Sequence, residues 1–393
     1  MKALWLTSWY PHRLDKFTGD FIQRHALATA LYMSVCVMHV QLVKEKLTDK
    51  KEIRLTKQGL LTEEVILLQA SRLPFPLNKI FDYYNYLSTY KKHIRKYIAR
   101  EGKPSITHVH VTLKSGLAAL WLKRKEQIPY VITEHWTIYN APPGNDTIES
   151  KSAAFKRSNR EILKESAMLL PVSDDLGKNI RRKIYPVNTR RILNAVDTRY
   201  FNHQPEKKAQ RLLFLHVSVM NKQKNAEGIL HAFVRFLKVM PDACLCMVGP
   251  ADEALLQYAA SLQVSREQLI FTGEISYVEV AAYMQKATAL LLFSYFENMP
   301  CVILEALCCG LPVIATQVGG IAEVVTADNG ILLPAGDEEA LNHAMLAIAK
   351  KELVFDSRSI SKKATESYSY ETIGQEIVAL YEEISQVRNV RHR

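Results

Sequence analysis

The stretch from residue 289 to 325 constrains what this chain can fold into more than any other segment does. Residues 289–293 are all apolar, which predicts a short buried strand. Between residues 301 and 309 only Glu305 is polar, which indicates a helix that is covered on all sides. Pro300 suits the first position of this helix, and a glycine and a proline after it supply the stop. Strand, loop, buried helix and strand in this order predict an α/β fold.

The loop and the helix that follows it predict a binding site for an anion. Glu305 is a lone carboxylate among apolar residues, and burying such a charge is costly unless hydrogen-bond donors meet it. Glu297 precedes it in the loop, so the two carboxylates frame a helix N-terminus that favours an anion such as phosphate. The residues expected to line this N-terminus are Asn298, Met299, Pro300 and Cys301. A ligand with both hydroxyls and phosphates satisfies these features, whereas the alternative is a helix carboxylate paired with a nearby Lys or Arg.

The motifs in this stretch also carry a family resemblance. Glu297 and Glu305, the following Gly-Leu-Pro-Val-Ile-Ala at 310–315 and the Gly-Gly-Ile at 319–321 resemble the nucleotide-sugar signature of the retaining glycosyltransferases of family 4, which have the GT-B fold. The resemblance implies that Glu305 holds the ribose hydroxyls of the donor. It places Glu297 near the donor sugar and the helix N-terminus at the diphosphate.

A chain of 393 residues is long enough for two domains. The resemblance implies two facing, doubly wound Rossmann-like domains with a cleft between them. Residues 1–202 are expected to form the acceptor-binding domain and residues 203–368 the nucleotide-sugar domain. Residues 369–393 are expected to form a helix that crosses back onto the first domain.

The loop at residues 218–225 follows the first predicted strand of the second domain. Members of the resembled family carry an arginine and a lysine here, both on the donor diphosphate. Lys224 matches the lysine and is assigned to the diphosphate and to catalysis. Val219 stands where the arginine is expected, which leaves either Lys222 as a substitute or the diphosphate with one cation fewer.

Two positions in the first domain are candidate site residues. Gly19 precedes a predicted helix, and the resemblance places it at the donor phosphates, although a plain turn is the alternative. His135 follows a predicted strand, at the edge where ligands bind in parallel sheets, and the resemblance implies a catalytic contact with the donor sugar. His108 and His110 are expected to be hydrogen-bonded histidines. No metal site is expected, because these histidines lack a matching ligand cluster in the sequence.

Charge is distributed unevenly along the chain. Residues 1–200 carry a net charge of +16 and residues 201–393 a net charge of −5, within a total of +11. This asymmetry favours a negatively charged partner, namely an anionic membrane surface or a lipid-linked phosphate. An amphipathic helix predicted over residues 80–100, with tyrosines beside basic residues, suits either a membrane interface or a core-facing helix. Nucleic acid is not expected, because no zinc-finger, RRM or KH pattern occurs.

The chain is therefore interpreted as a glycosyltransferase of the hexosyltransferase type. It is expected to move a sugar from a UDP- or GDP-linked donor to a lipid-linked or glycan acceptor with retention of configuration, in the synthesis of cell-surface polysaccharide or glycolipid. No cofactor or divalent metal is expected, since no Asp-x-Asp motif occurs. With six cysteines in apolar segments and neither a secretory signal nor a membrane-spanning stretch, a cytoplasmic or peripheral membrane location is expected. A nucleotide-sugar epimerase and a non-catalytic binding protein remain alternatives.

Overall fold

The computed structural model describes residues 1–207 and 211–391. The chain divides into two compact units. Unit 1 contains residues 1–139, residues 146–195 and the C-terminal helix, and unit 2 contains residues 140–145 and 196–369. Each unit is built on a sheet of mostly parallel strands covered by helices, so the predicted α/β class is confirmed.

Unit 1 is built on a seven-stranded sheet. Its strands are β1 Lys2–Thr7, β2 Ser34–Val43, β3 Lys51–Gln58, β4 Leu61–Gln69, β5 Ile106–His110, β6 Tyr130–Glu134 and β7 Met168–Pro171. Its helices are α1 Asp20–Thr29, α2 Leu77–Glu101, α3 Ser115–Glu126, α4 Ala153–Glu165 and α5 Asp174–Lys183. The strand order is β3-β4-β2-β1-β5-β6-β7, and only β3 and β4 pair in antiparallel fashion. The carboxyl ends of β1, β5 and β6 therefore meet at one edge of the sheet.

Unit 2 contains a six-stranded, entirely parallel sheet. Its strands are β8 Leu213–Val217, β9 Cys244–Val248, β10 Leu269–Gly273, β11 Ala289–Leu292, β12 Val313–Thr316 and β13 Gly330–Leu333. Its helices are α6 Ala226–Leu237, α7 Glu253–Ser261, α8 Tyr277–Lys286, α9 Cys301–Cys308, α10 Glu338–Ala349 and α11 Ser357–Tyr368. The strand order β10-β9-β8-β11-β12-β13 places β8 beside β11, so the loops that follow these two strands are neighbours.

The C-terminal helix α12, Tyr370–Arg391, belongs to unit 1 and packs against α1. Four of its apolar side chains are completely buried in the core of unit 1, namely Ile373, Ile377, Leu380 and Tyr381. The two helices approach closely at Gly374, where a Cβ atom would lie 2.2 Å from the carbonyl oxygen of Ala28. The absence of a side chain at Gly374 is therefore what permits this packing distance.

Three parts of the structure differ from the sequence interpretation. Residues 44–72, where no strand was predicted, contain the β3–β4 hairpin, which turns at Gly59 with φ +56°. Helices α7 and α11 were not predicted. Helix α2 begins at Leu77 rather than at residue 80. Across the part of the chain that the model describes, every helix is too short or too polar to cross a bilayer.

Candidate active site

The loop that leads from β11 into α9 is held in place by two glycines. Gly319 has φ +54°, and a Cβ atom there would lie 2.0 Å from the carbonyl oxygen of Glu297. A side chain at this position is therefore excluded. The N–H of Gly320 donates to the carbonyl of Asn298 at 2.8 Å. The loop is thus anchored directly before Pro300, which is the N-cap of α9, so the helix begins at Cys301, one residue later than the sequence pattern predicted.

Glu305 is the fifth of the eight residues of α9 and is only 3% exposed. The hydroxyl of Tyr277, at the start of α8, donates to its carboxylate at 3.3 Å. Glu305 is therefore a buried carboxylate with high capacity to accept hydrogen bonds.

Glu297 and Lys224 form an ion pair in unit 2. The Nζ atom of Lys224 lies 2.5 Å from Oε1 of Glu297, and the two side chains are 16% and 6% exposed. The hydroxyl of Ser294 donates to the same carboxylate oxygen at 2.8 Å. Lys224 belongs to a 3₁₀ turn directly before α6, whereas Lys222 of the same turn is exposed. The structure therefore brings Lys224 to the loop before α9 and leaves Lys222 in solvent.

His216 and Ser218 shape the loop after β8. Nδ1 of His216 lies 2.9 Å from the carbonyl oxygen of Leu291, so this nitrogen is the donor. Nε2 is then the acceptor and receives the hydroxyl of Ser218 at 2.7 Å, while that hydroxyl accepts the N–H of Met220 at 2.9 Å. Burial lowers the pKa of His216 to about 4, which keeps the ring neutral. This network orients the loop that carries Lys224.

Gly19 occupies a position in unit 1 that no other residue can take without strain. It caps α1 with φ +75°, and a Cβ atom there would lie 2.7 Å from the backbone of Trp9 and Tyr10. The loop after β1 therefore folds closely over the start of α1. Close approach to the backbone here is possible because the side chain is missing.

His135 directly follows β6 and is 9% exposed. The turn beneath it is fixed by Glu134, whose carboxylate accepts the N–H groups of His135 and Trp136 at 2.9 Å each. The N–H and hydroxyl of Thr112 donate to the second oxygen of Glu134 at 2.9 and 2.6 Å. Burial raises the pKa of Glu134, and these hydrogen bonds oppose that rise. Burial also lowers the pKa of His135 well below its usual range, so its ring is neutral.

A cavity of about 590 Å³ opens at the carboxyl edge of the sheet in unit 1. Trp9 and Trp136 contribute to its wall with ring centroids 5.7 Å apart, and Lys114 supplies a cation. A second cavity of about 610 Å³ lies between the loop after β1 and the β3–β4 hairpin, and His12 lines both. The first cavity thus combines aromatic side chains with many polar and charged ones, and the lining of the second is mostly polar and charged, so both can receive a polar molecule.

Comparison with known proteins assigns this architecture to a family. Residues 198–367 match the family model described as glycosyl transferases group 1, and residues 53–200 match the model described as Glycosyltransferase Family 4. The two models meet near residue 199 and together span residues 53–367. The chain belongs to the group 1 glycosyltransferases. Its predicted family is thereby confirmed.

Two curated relatives of this glycosyltransferase are named as a synthase and a mannosyltransferase. This chain is 26% identical over 344 residues to the N-acetyl-alpha-D-glucosaminyl L-malate synthase of Bacillus anthracis, a match that covers 80% of this chain and 87% of that protein. It is 21% identical over 329 residues to the phosphatidyl-myo-inositol mannosyltransferase of Mycobacterium leprae, covering 82% of this chain and 84% of that protein.

Solved structures show the fold of this glycosyltransferase. The sucrose-phosphate synthase of Thermosynechococcus elongatus superposes with a TM-score of 0.77 at 20% identity, over 98% of this chain and all of that chain. HepE of Anabaena, crystallised with UDP, superposes with a TM-score of 0.72 at 16% identity, over 98% and 100% of the two chains. The predicted GT-B fold is confirmed by these likenesses.

The residues predicted for the site of this glycosyltransferase are divided between the two units. Unit 2 brings together Lys224, Glu297 and the loop before α9, and it buries Glu305 on that helix. Gly19 and His135 lie in unit 1. His216 and Ser218 were not predicted as site residues, because a histidine within an apolar strand does not by itself indicate a role in a site.

Proposed function

We propose that this glycosyltransferase takes its sugar from a nucleoside diphosphate sugar, linked to UDP or GDP. The observation that carries the proposal is the buried carboxylate of Glu305 beside a helix N-terminus and the Lys224–Glu297 pair. Ribose hydroxyls suit the first feature, and a diphosphate suits the N-terminus and the lysine. The HepE structures, which contain UDP or UDP-glucose, agree in ligand class.

In the proposed reaction the bond between the anomeric carbon and the β-phosphate oxygen breaks, and its electron pair stays on the phosphate. A bond forms between that carbon and an acceptor oxygen, whose proton passes to the departing diphosphate. Negative charge therefore develops on the diphosphate, where Lys224 and the N-terminus of α9 stabilise it. Glu297 and His135 are proposed to contact the sugar. Gly19 is proposed to let the phosphates approach the backbone closely, because it has no side chain. Transfer with retention and without a divalent metal is part of this proposal.

The acceptor is proposed to bind in unit 1, at the carboxyl edge of the sheet. The cavity there offers Trp9 and Trp136 for stacking against a sugar and Lys114 for a negative charge. A lipid-linked or glycan acceptor fits these surfaces, as in the synthesis of cell-surface polysaccharide or glycolipid. The name of the Mycobacterium leprae relative, a phosphatidyl-myo-inositol mannosyltransferase, is consistent with a lipid acceptor.

We also propose that unit 1 docks on an anionic membrane surface from the cytoplasmic side. The carboxyl-terminal half of α2 packs inward, with Tyr90 and Ile94 completely buried. The first turns of α2 and the segment before it instead expose large apolar side chains to solvent, namely Leu73, Phe75, Leu77, Ile80, Phe81 and Tyr84. Phe75 is 73% and Tyr84 is 67% exposed. Exposed apolar residues beside cations such as Arg72 and Lys79 are typical of a membrane interface.

Flotation with lipid vesicles tests the membrane proposal. The full chain is expected to bind vesicles that contain anionic lipid and to be released as salt increases. Replacing Phe75, Phe81 and Tyr84 together with serine is expected to abolish binding without unfolding the chain, since these side chains are exposed. An exposed pair in unit 2, Val219 and Val354, changed to serine is the matched control. Vesicle binding that survives the triple change would contradict this docking surface.

Incubation with UDP- and GDP-sugars and a membrane extract tests the proposed reaction. Transfer is expected to release one nucleoside diphosphate for each sugar that becomes attached to lipid or glycan. Release of free epimer would indicate the epimerase alternative. Binding of nucleotide sugar without turnover would indicate a binding protein, and no binding of any donor would contradict the proposal as a whole.

A further inference from the structure

Three histidines from separate elements of unit 1 converge at the carboxyl edge of its sheet. His25 comes from α1, His110 ends β5, and His135 follows β6. Each offers a ring nitrogen, and these three atoms lie within 4.8 Å of one another. The ring centroids are 5.7 to 6.0 Å apart, so the rings form a nearly equilateral triangle. The sequence gives no sign of this group, because His25 is remote from the other two in the chain.

The hydrogen bond of His25 leaves one of its nitrogens with a lone pair. Nε2 lies 2.9 Å from the carbonyl oxygen of Leu193. A carbonyl can only accept, so Nε2 carries the proton and Nδ1 of the neutral ring is a bare acceptor. His25 is completely buried, and Nδ1 has no hydrogen-bond partner among the described residues. A ring fixed by a backbone carbonyl through one nitrogen, with the other nitrogen bare, is the usual arrangement of a metal-binding histidine.

His110 repeats this pattern of unmet hydrogen-bonding capacity. It is completely buried, and its Nε2 has no partner among the described residues, while Nδ1 lies 3.5 Å from Nε2 of His135. Leaving a buried polar atom unsatisfied costs about 1–3 kcal/mol, and two such atoms in one group call for an explanation such as a bound ion.

The surroundings restrict the group to three ligands. His108 stands beside His110, but both of its nitrogens are already bonded, to the hydroxyls of Tyr381 and Thr133. The carboxylate of Glu134 is taken up by Thr112 and by two backbone N–H groups. The remaining donors are three imidazoles, a set that suits Zn²⁺, Co²⁺ or Ni²⁺ and not Mg²⁺ or Ca²⁺.

We propose that His25, His110 and His135 form a binding site for one divalent transition-metal ion of the Zn²⁺ class. Nitrogens about 2.0–2.1 Å from zinc at tetrahedral angles are about 3.3 Å apart. The three ligand nitrogens here already lie within 4.8 Å of one another. Three protein ligands leave a fourth position for water. The proposed ion is not assigned to the donor diphosphate, which Lys224 and the N-terminus of α9 are proposed to hold without metal.

Titration of the chelator-treated full chain with Co²⁺, in the absence of nucleotide, tests this site. One equivalent is expected to bind with the visible absorption of four-coordinate cobalt, and Zn²⁺ is expected to displace it. His25→Gln and His110→Gln are each expected to weaken Co²⁺ binding by at least roughly tenfold. The exposed His343 changed to glutamine is the matched control and is expected to leave binding unchanged.

Circular dichroism and thermal melting identify variants that fail to fold, and His135→Gln, in the turn after β6, replaces any that does. The site would be overturned if the folded wild-type chain showed no cobalt absorption. It would also be overturned if the folded His25→Gln and His110→Gln variants bound Co²⁺ as tightly as the wild type does. Because no donor is present, neither result depends on whether the proposed transfer reaction is right.

Discussion

The ion pair of Lys224 and Glu297 is expected to stabilise the folded chain, while each of the two side chains has its own role in catalysis. Replacing Lys224 with methionine leaves a buried carboxylate without its cation, a change that typically costs about 3–5 kcal/mol. It also removes positive charge from the proposed diphosphate site, so kcat is expected to fall by about 10²–10³. Urea denaturation and steady-state kinetics measure the two effects.

A second substitution separates these effects. Adding Glu297→Gln to Lys224→Met removes the unpaired charge, so most of the stability is expected to return while activity stays low. Lys222→Met, at an exposed position of the same turn, is the matched control and is expected to change stability little. If the double variant regained normal turnover, Lys224 would have no role at the diphosphate.

Sequence patterns predicted single residues well where the local pattern carried the information. Glu305 stands out because its helix is otherwise apolar, and the structure buries it at 3% exposure. The contact between Lys224 and Glu297 was not predicted. The two residues are 73 positions apart, and they meet because β8 and β11 are neighbours in the sheet. His25 was missed for the same reason, since its partners lie on other elements.

At the scale of the helices, the packing of α12 on α1 depends on Gly374. Replacing it with valine places a branched side chain where the first added carbon already lies 2.2 Å from the backbone oxygen of Ala28. Because backbone cannot yield as a side chain does, we expect a loss of more than about 3 kcal/mol in the free energy of unfolding. Thermal and urea denaturation measure it. Glu382→Ala, exposed on the same helix, should change it by less than about 0.5 kcal/mol, and an equal loss in both would contradict this packing.

Elements with a strong apolar period were predicted nearly to their ends. The helix predicted over residues 80–100 is α2, Leu77–Glu101, and the strand predicted over residues 289–293 is β11, Ala289–Leu292. The β3–β4 hairpin was missed because β3 is mostly exposed and carries little apolar content. Gly59, between a segment in which Ile53 and Leu55 alternate with polar residues and the apolar run at 65–68, was the signal that could have revealed it. The observed helix ends differ from the predicted ones by one to three residues, since local sequence does not fix where a helix is capped.

At the scale of the whole molecule, buried neutral histidines predict that stability falls in mild acid. Burial lowers the pKa of His39 and His216 to about 4 in the folded chain, against about 6.5 when unfolded. The unfolded state therefore binds more protons between pH 6.5 and 4. Each of these histidines is expected to remove up to about 1.4 kcal/mol for every pH unit lowered through that window.

Urea denaturation at pH 7, 6 and 5 measures this dependence. The midpoint is expected to fall at each step, and the stability that these rings contribute is fully present above about pH 6.5. His216→Gln is expected to flatten the profile, whereas the exposed His343→Gln is expected to leave its slope unchanged. A midpoint that stays constant from pH 7 to 5 would show that these rings are not held neutral by burial.

The central claim is that the buried carboxylate on α9 binds the nucleoside of a sugar donor. Calorimetric titration of the chain with UDP, GDP and their sugars tests it most directly, with Glu305→Gln as the test variant and the exposed Glu339→Gln as its control. One nucleotide series should bind the wild type and the control equally, and bind Glu305→Gln about 10 to 150 times more weakly, as loss of hydrogen bonds to a charged group predicts. Equal affinity in a folded Glu305→Gln variant would contradict the account.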